Sequence, residues 1–179
     1  MHKRKGPELV LRKGVIMHPE SYKIIEDFVS EFVKGENLKV CDIGSLDING
    51  TYKPIFRDHH RYMGIDIRPG LNVDVTVQPY EYPFEDNYFD VIVSGQTMEH
   101  VEDIYAWMEE VARVAKDLVC IIVPWQWGPH REPVDCWRIL PDGMKFLFNR
   151  SGLETIKIWT DQSSCAGIAK KRRKTDGSK

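Results

Sequence analysis

The chain has 179 residues, enough for one domain with a sizeable core, and its 42% hydrophobic content is ordinary for a globular protein. Lysine and arginine number 25 against 27 aspartate and glutamate, a formal net charge of -2, so nothing global favours nucleic acid or an anionic membrane as a partner. No apolar run is long enough to span a bilayer and no signal-peptide pattern opens the chain, so the expected location is cytoplasmic.

In chain order, residues 1–13 are basic and irregular and read as a flexible tail. A helix is expected from Pro19, because proline suits a first turn and Tyr22, Ile25, Phe28, Val29, Phe32 and Val33 recur at helical spacing. Gly35 ends it. Leu38 to Ile43 is a short apolar run and reads as a buried strand. Thr51 to Phe56 predicts a short helix limited by Pro54. Tyr62 to Asp66 and Val73 to Val77 read as the second and third strands. A loop rich in aromatics and acids, Tyr80 to Asn87, leads to a fourth strand, Phe89 to Ser94. Asp103 is placed to cap a helix with Ile104, Trp107, Met108, Val111 and Val114 on its inner face. Leu118 to Val123 is the fifth strand, ended by Pro124. After a long loop, Trp125 to Arg138, a helix is expected over Pro141 to Arg150. Glu154 to Trp159 and Cys165 to Ala169 then form a hairpin. Lys170 to Lys179 reads as a second flexible tail, leaving residues 1–179 as one domain. Strands alternating with helices imply a mostly parallel sheet with right-handed crossovers.

The four cysteines, Cys41, Cys120, Cys136 and Cys165, are far apart and form no C-x-x-C pair. They read as thiols in a reducing compartment, and no metal site is expected.

Three stretches together resemble one family. Asp42-Ile-Gly44-Ser45 after a hydrophobic strand is similar to the first motif of class I S-adenosylmethionine (SAM)-dependent methyltransferases. Tyr62-Met-Gly-Ile-Asp66 is similar to that family's second strand, ending in the acid that binds the cofactor ribose. Tyr82-Pro-Phe-Glu-Asp-Asn-Tyr-Phe-Asp-Val-Ile-Val-Ser94-Gly95-Gln-Thr-Met-Glu-His100-Val is similar to its fourth strand and following loop. The resemblance implies an α/β, Rossmann-like methyltransferase sheet of seven strands, mostly parallel with one antiparallel strand, and helices on both faces. It implies SAM as cofactor.

The resemblance also assigns residues. The turn at Gly44 and Ser45 would support the methionine end of the cofactor, with Asp42 near its ammonium. The pattern departs from the family's run of three glycines: Leu46 and Ile48 stand where later glycines would be, and Asn49-Gly50 can make a second turn. Asp66 would accept hydrogen bonds from both ribose hydroxyls, with Ile67 beside it. The same acid would serve NAD, but G-x-G-x-x-G is absent from the first turn. Gln78 takes the place of an adenine-binding Asp, with Asp74 as the alternative. Ser94 and Gly95 lie where the fourth strand meets the methyl group. His100 would either remove a proton from the acceptor or orient its loop.

The loop from Trp125 holds three tryptophans, two arginines and one histidine. Trp125, His130, Arg131 and Trp137 are candidate substrate contacts, with His130 a second candidate base; the other reading is a loop packed on the sheet edge. The expected function is methyl transfer from SAM to an oxygen or nitrogen of a small polar acceptor, sugar-like or from natural-product chemistry. Transfer to RNA or protein, with the basic tails gripping the target, is the first alternative. A non-catalytic SAM-binding module is the second. Nucleic acid and membrane are not expected partners, and a homodimer is left open.

Overall fold

The computed structural model describes residues 19–131 and 134–172. Helix α1 (Pro19–Phe32) buries Ile24, Ile25 and Phe28. Strand β1 (Lys39–Ile43) follows, then a single helical turn, α2 (Lys53–Phe56), with Pro54 in its first positions. Strands β2 (Arg61–Asp66), β3 (Val75–Thr76) and β4 (Phe89–Gly95) come without intervening helices. A 3-10 turn (Met98–His100) leads to α3 (Ile104–Val114), whose cap is the expected one: Asp103 Oδ1 accepts the Tyr105 and Ala106 N–H groups at 3.1 and 3.0 Å. Then come β5 (Ala115–Pro124), α4 (Pro141–Arg150), β6 (Leu153–Thr160) and β7 (Ser164–Lys171).

The seven strands form one sheet in the order β3-β2-β1-β4-β5-β7-β6. Strands β1 to β5 pair in parallel, while β7 runs antiparallel to both β5 and β6. This is the expected fold class. From β1 the chain moves to one side through β2 and β3, then returns to place β4 on the other side. The switch point therefore lies at the C-terminal ends of β1 and β4, where open α/β sheets bind ligands.

Alternation along the strands supplies two apolar faces. Cys41, Ile43, Ile92, Val119, Ile121 and Val123 pack with Trp107, Met108 and Val111 of α3 and Met144 and Phe148 of α4. Val40, Val91, Val93, Cys120 and Ile122 pack with Ile25 and Phe28 of α1 and Phe56 of α2. Each such burial contributes about 1.5–3 kcal/mol. No helix among the described residues is long and apolar enough to cross a membrane.

Several element boundaries differ from expectation, β5 beginning three residues early at Ala115, and two of the differences have a clear physical reading. The third strand keeps only two of its five expected residues. The Asp74 carboxylate takes the Gly64 N–H at 2.8 Å, and Asn72 is left-handed at φ 67, so the chain turns at Leu71 and Asn72 and leaves Val73 and Asp74 outside the strand. At the other end, Lys170 and Lys171 do not begin a tail. They belong to β7 and pair with Leu118, Glu154 and Leu153. Residues 1–13 and 173–179 lie outside the described residues.

Candidate active site

A cavity of about 510 Å³ opens at the switch point. One end is built by β1 and β2. Asp42 is buried there and lines it; Tyr62 Oη donates to its Oδ2 at 2.6 Å, and Asn72 Nδ2 donates in turn to Tyr62 Oη at 2.8 Å. Burial raises the Asp42 carboxyl to about 7, with Tyr62 opposing and Asp66 adding to the rise. Gly44 has φ +80, and a Cβ on it would lie 2.0 Å from Thr97 Oγ1, so only glycine lets β1 end against the loop after β4. Ser45 Oγ donates to the Asn72 carbonyl at 3.0 Å, and Asn72 Nδ2 returns a bond to the Ser45 carbonyl.

The turn departs from a glycine-rich cradle. The Gly44 and Ser45 N–H groups donate to the Ile65 carbonyl at 2.9 and 3.0 Å. The loop is thus tied to β2. Asp66 takes part through Oδ2, which accepts the Leu46 N–H at a long 3.3 Å, while Oδ1 accepts the Arg68 N–H at 2.9 Å. Each carboxylate oxygen has a second lone pair for a ligand hydroxyl. Ile48 and Ile67, both about half exposed, line the same end, with Val77, Pro79, Tyr80 and Tyr82. Gln78 does not line the cavity: it forms a backbone bridge with Glu81, and only its neighbours line the wall. Ser94 is buried and donates to the Ile43 carbonyl at 2.8 Å, fastening β4 to β1 and leaving the lining to Gly95. A Cβ on Gly95 would lie 2.0 Å from Tyr52 Oη, so Gly95 admits the Tyr52 ring.

The other end is built by the segment after β4 and the loop after β5. Gln96 is left-handed at φ 55, a costly conformation for a non-glycine residue. Its Nε2 reaches Ser21 Oγ at 3.2 Å and Ser164 Oγ at 3.0 Å, joining α1 to β7 at the cavity wall, which Gln96 and Ser164 both line. The 3-10 turn sets His100 on the lining and Glu99 just behind it, fully buried. Burial raises the Glu99 carboxyl to about 8, with its own backbone N–H and the charge of Arg138 opposing. His130 faces His100 with ring centroids 5.0 Å apart, and each Nε2 lies 3.7 Å from Glu99 Oε1.

An internal fork shapes the loop. Arg138 Nη1 and Nη2 donate to the two Asp135 oxygens at 2.6 and 2.8 Å, and the same guanidinium holds the Trp127 and Gly128 carbonyls, each at 3.0 Å. Asp135 is thereby held well below the usual carboxylate range. Its Oδ2 accepts the His130 N–H at 2.7 Å, and the Cys136 N–H donates to the Glu99 carbonyl at 2.7 Å. Trp127, His130 and Val134 therefore line the cavity. Trp125, Arg131 and Trp137 do not. Trp125 Nε1 donates to the Asp161 carbonyl and Trp137 Nε1 to the Val101 carbonyl, and both rings pack on the core. Arg131 is exposed.

Comparison with known proteins follows the same division. Residues 41–122 match the model of a family described as methyltransferase domain. That stretch is similar to a methyltransferase domain. Curated proteins yield no match. The fold is shared with a SAM-dependent methyltransferase from Aquifex aeolicus at 18% identity and TM-score 0.64, over 86% of this chain and 98% of that one. It is shared with magnesium protoporphyrin IX methyltransferase from Synechocystis PCC 6803 bound to S-adenosylhomocysteine (13%, TM-score 0.69, 94% and 90%). A third is 1,6-didemethyltoxoflavin-N1-methyltransferase from Burkholderia thailandensis (13%, TM-score 0.68, 92% and 82%). The family model is matched over part of the chain. Its matched span ends at the close of β5, so the loop carrying His130 lies beyond it.

Three parts of this site were not singled out from sequence. Tyr62 and Tyr52 read as strand and short-helix residues, yet Tyr52 lines the cavity and Tyr62 donates to Asp42. Glu99 carried a signal, as half of the Glu-His pair. Asp135 and Arg138 carried one too, in the run Pro-Val-Asp-Cys-Trp-Arg that ends the loop.

Proposed function

We propose that this methyltransferase moves the methyl group of SAM to an oxygen or nitrogen of a small polar acceptor. The observation that carries the reading is one cavity with two chemically different ends: strand-end carboxylates with an apolar clamp, and a Glu99, His100, His130 cluster. Bound SAM supplies an activated methyl on a positively charged sulfur. Asp66 takes the two ribose hydroxyls, Asp42 faces the ammonium, and Ile48, Ile67 and Tyr80 enclose the flat adenine. Gly95 and Gln96 lie between the two ends. His100 and His130 act on the polar group of the acceptor, which is held in line with the methyl. The acceptor heteroatom forms a bond to carbon as the carbon–sulfur bond breaks, and S-adenosylhomocysteine leaves with the sulfur electron pair. A small acceptor suits a cavity whose acceptor wall is closed by the loop after β5. Three buried free cysteines suit a reducing cytoplasm.

The test offers labelled SAM to hydroxylated, sugar-like and amine small molecules beside RNA. Label transfer to a small molecule supports the reading. Transfer to RNA alone, or S-adenosylhomocysteine binding with no transfer to any acceptor, overturns it.

A further inference from the structure

Glu99, His100 and His130 can each turn one ligand atom toward a common point, with all three atoms within 4.8 Å of one another. Glu99 is fully buried and no other residue donates a hydrogen bond to either of its carboxylate oxygens. A buried carboxylate without donors is costly unless a cation faces it. The cation whose charge acts on it, Arg138, is already committed to both oxygens of Asp135. The two imidazoles that approach Glu99 stand at 3.7 Å, beyond hydrogen-bond range.

That spacing is near what a shared ion requires. Three donors each about 2.1 Å from a tetrahedral ion lie about 3.4 Å from one another. Both rings are also oriented for it. His100 Nδ1 is in hydrogen-bond contact with the Val134 carbonyl. His130 Nδ1 has the Gly128 carbonyl at 3.3 Å and Asp135 Oδ2 at 3.8 Å. A ring whose Nδ1–H donates to an oxygen leaves Nε2 unprotonated, and in both rings Nε2 is the atom turned toward Glu99.

We infer that Glu99 with the Nε2 atoms of His100 and His130 binds a divalent transition-metal ion of the zinc class at the acceptor end of the cavity. Two imidazoles and one carboxylate suit such an ion and suit magnesium or calcium poorly. Three protein ligands leave a further position, as catalytic sites do. Both histidines line the cavity, so that position faces it. The metal site stands on its own geometry. Its use rests on the reading above: the two histidines then act on the acceptor through the ion, whose open position takes the acceptor oxygen and favours loss of its proton to solvent. None of the four cysteines takes part.

The experiment titrates chelator-treated full-length protein with Co2+, whose visible absorption reports nitrogen and oxygen ligation in near-tetrahedral geometry, and with Zn2+ in competition. One equivalent is expected to bind. His130→Ala, at a half-exposed position that leaves the core untouched, is expected to weaken binding by about 100-fold or more. Glu99→Gln is expected to do the same, with its metal-free melting curve as the check on folding. Cys136→Ser, which removes the exposed thiol, should bind like the parent. Unchanged affinity in His130→Ala, loss only in Cys136→Ser, or no stoichiometric binding would overturn the site. S-adenosylhomocysteine is titrated in parallel. Metal binding without nucleoside binding keeps the metal site and removes the methyltransferase reading; the reverse result keeps that reading and removes the metal.

Discussion

At the scale of single residues, the cofactor end rests on a few positions with little tolerance. Gly44→Ala meets both a left-handed backbone and the Thr97 side chain. It should lower stability by at least about 1–3 kcal/mol, measured by urea unfolding; full stability would mean that the turn differs from the one described. Asp42 gives a pH signature. Its folded carboxyl is raised to about 7 from the ordinary value of 3.8. Below about pH 4 the proton is held in both folded and unfolded states; above that only the folded state keeps it. The stabilisation is therefore present at low pH and lost as pH rises through 7. Asp42→Asn should remove this slope from the stability–pH curve, and an unchanged slope would assign it elsewhere. These residues were legible because their signal is local: a strand, then an acid, then a glycine. Tyr62 was not, because its hydroxyl meets Asp42 only through the parallel register of β1 and β2, which sets Tyr62 beside Val40. His100→Ala should cut turnover by roughly 10²–10⁴-fold with little change in cofactor affinity; full rate at every pH would show that alignment alone suffices.

At the scale of elements, two loops shape the cavity and both are held by arginine. Arg113 of α3 pairs with Glu110 and donates to the Phe84 and Tyr82 carbonyls at 2.7 and 3.0 Å, fixing the segment that carries the cofactor wall. Arg113→Ala leaves the buried Glu110 short of its partner and should cost about 1–3 kcal/mol, seen in the melting temperature. Arg138 does the same for the loop after β5. Arg138→Ala should raise the acceptor KM by about 10-fold or more, with S-adenosylhomocysteine affinity within about threefold, whereas Arg131→Ala should leave KM unchanged. Equal effects of the two variants would mean that the fork does not position the loop. Helix and strand positions were read closely here, down to the ends of α4, because apolar spacing and proline mark them. The inside of the loop was not, since chemical richness does not say which side chains turn inward. Trp125 and Trp137 drew notice as aromatic surface, and their indole N–H groups are spent on backbone carbonyls.

For the whole molecule, strand order is what makes the separate motifs one site. The alternation of strands and helices pointed to a parallel sheet, and the resemblance supplied the antiparallel strand. Neither could show that Ser164 of β7 and Ser21 of α1 meet at Gln96, because that contact joins segments 75 and 68 residues from it. Nor could they show that His100 and His130 face one another across a buried acid. The central claim is that this sheet binds SAM at the ends of β1, β2 and β4. Calorimetric titration with S-adenosylhomocysteine, beside NAD and with the Asp66→Ala variant, tests it most directly. The account predicts one binding site for S-adenosylhomocysteine, no heat with NAD, and loss of most of the affinity in a still-folded Asp66→Ala. A ligand at 100 times its Kd should also raise the melting temperature by roughly 5–10 °C. Binding of NAD with none of S-adenosylhomocysteine, or an Asp66→Ala variant that binds as tightly as the parent, would contradict it.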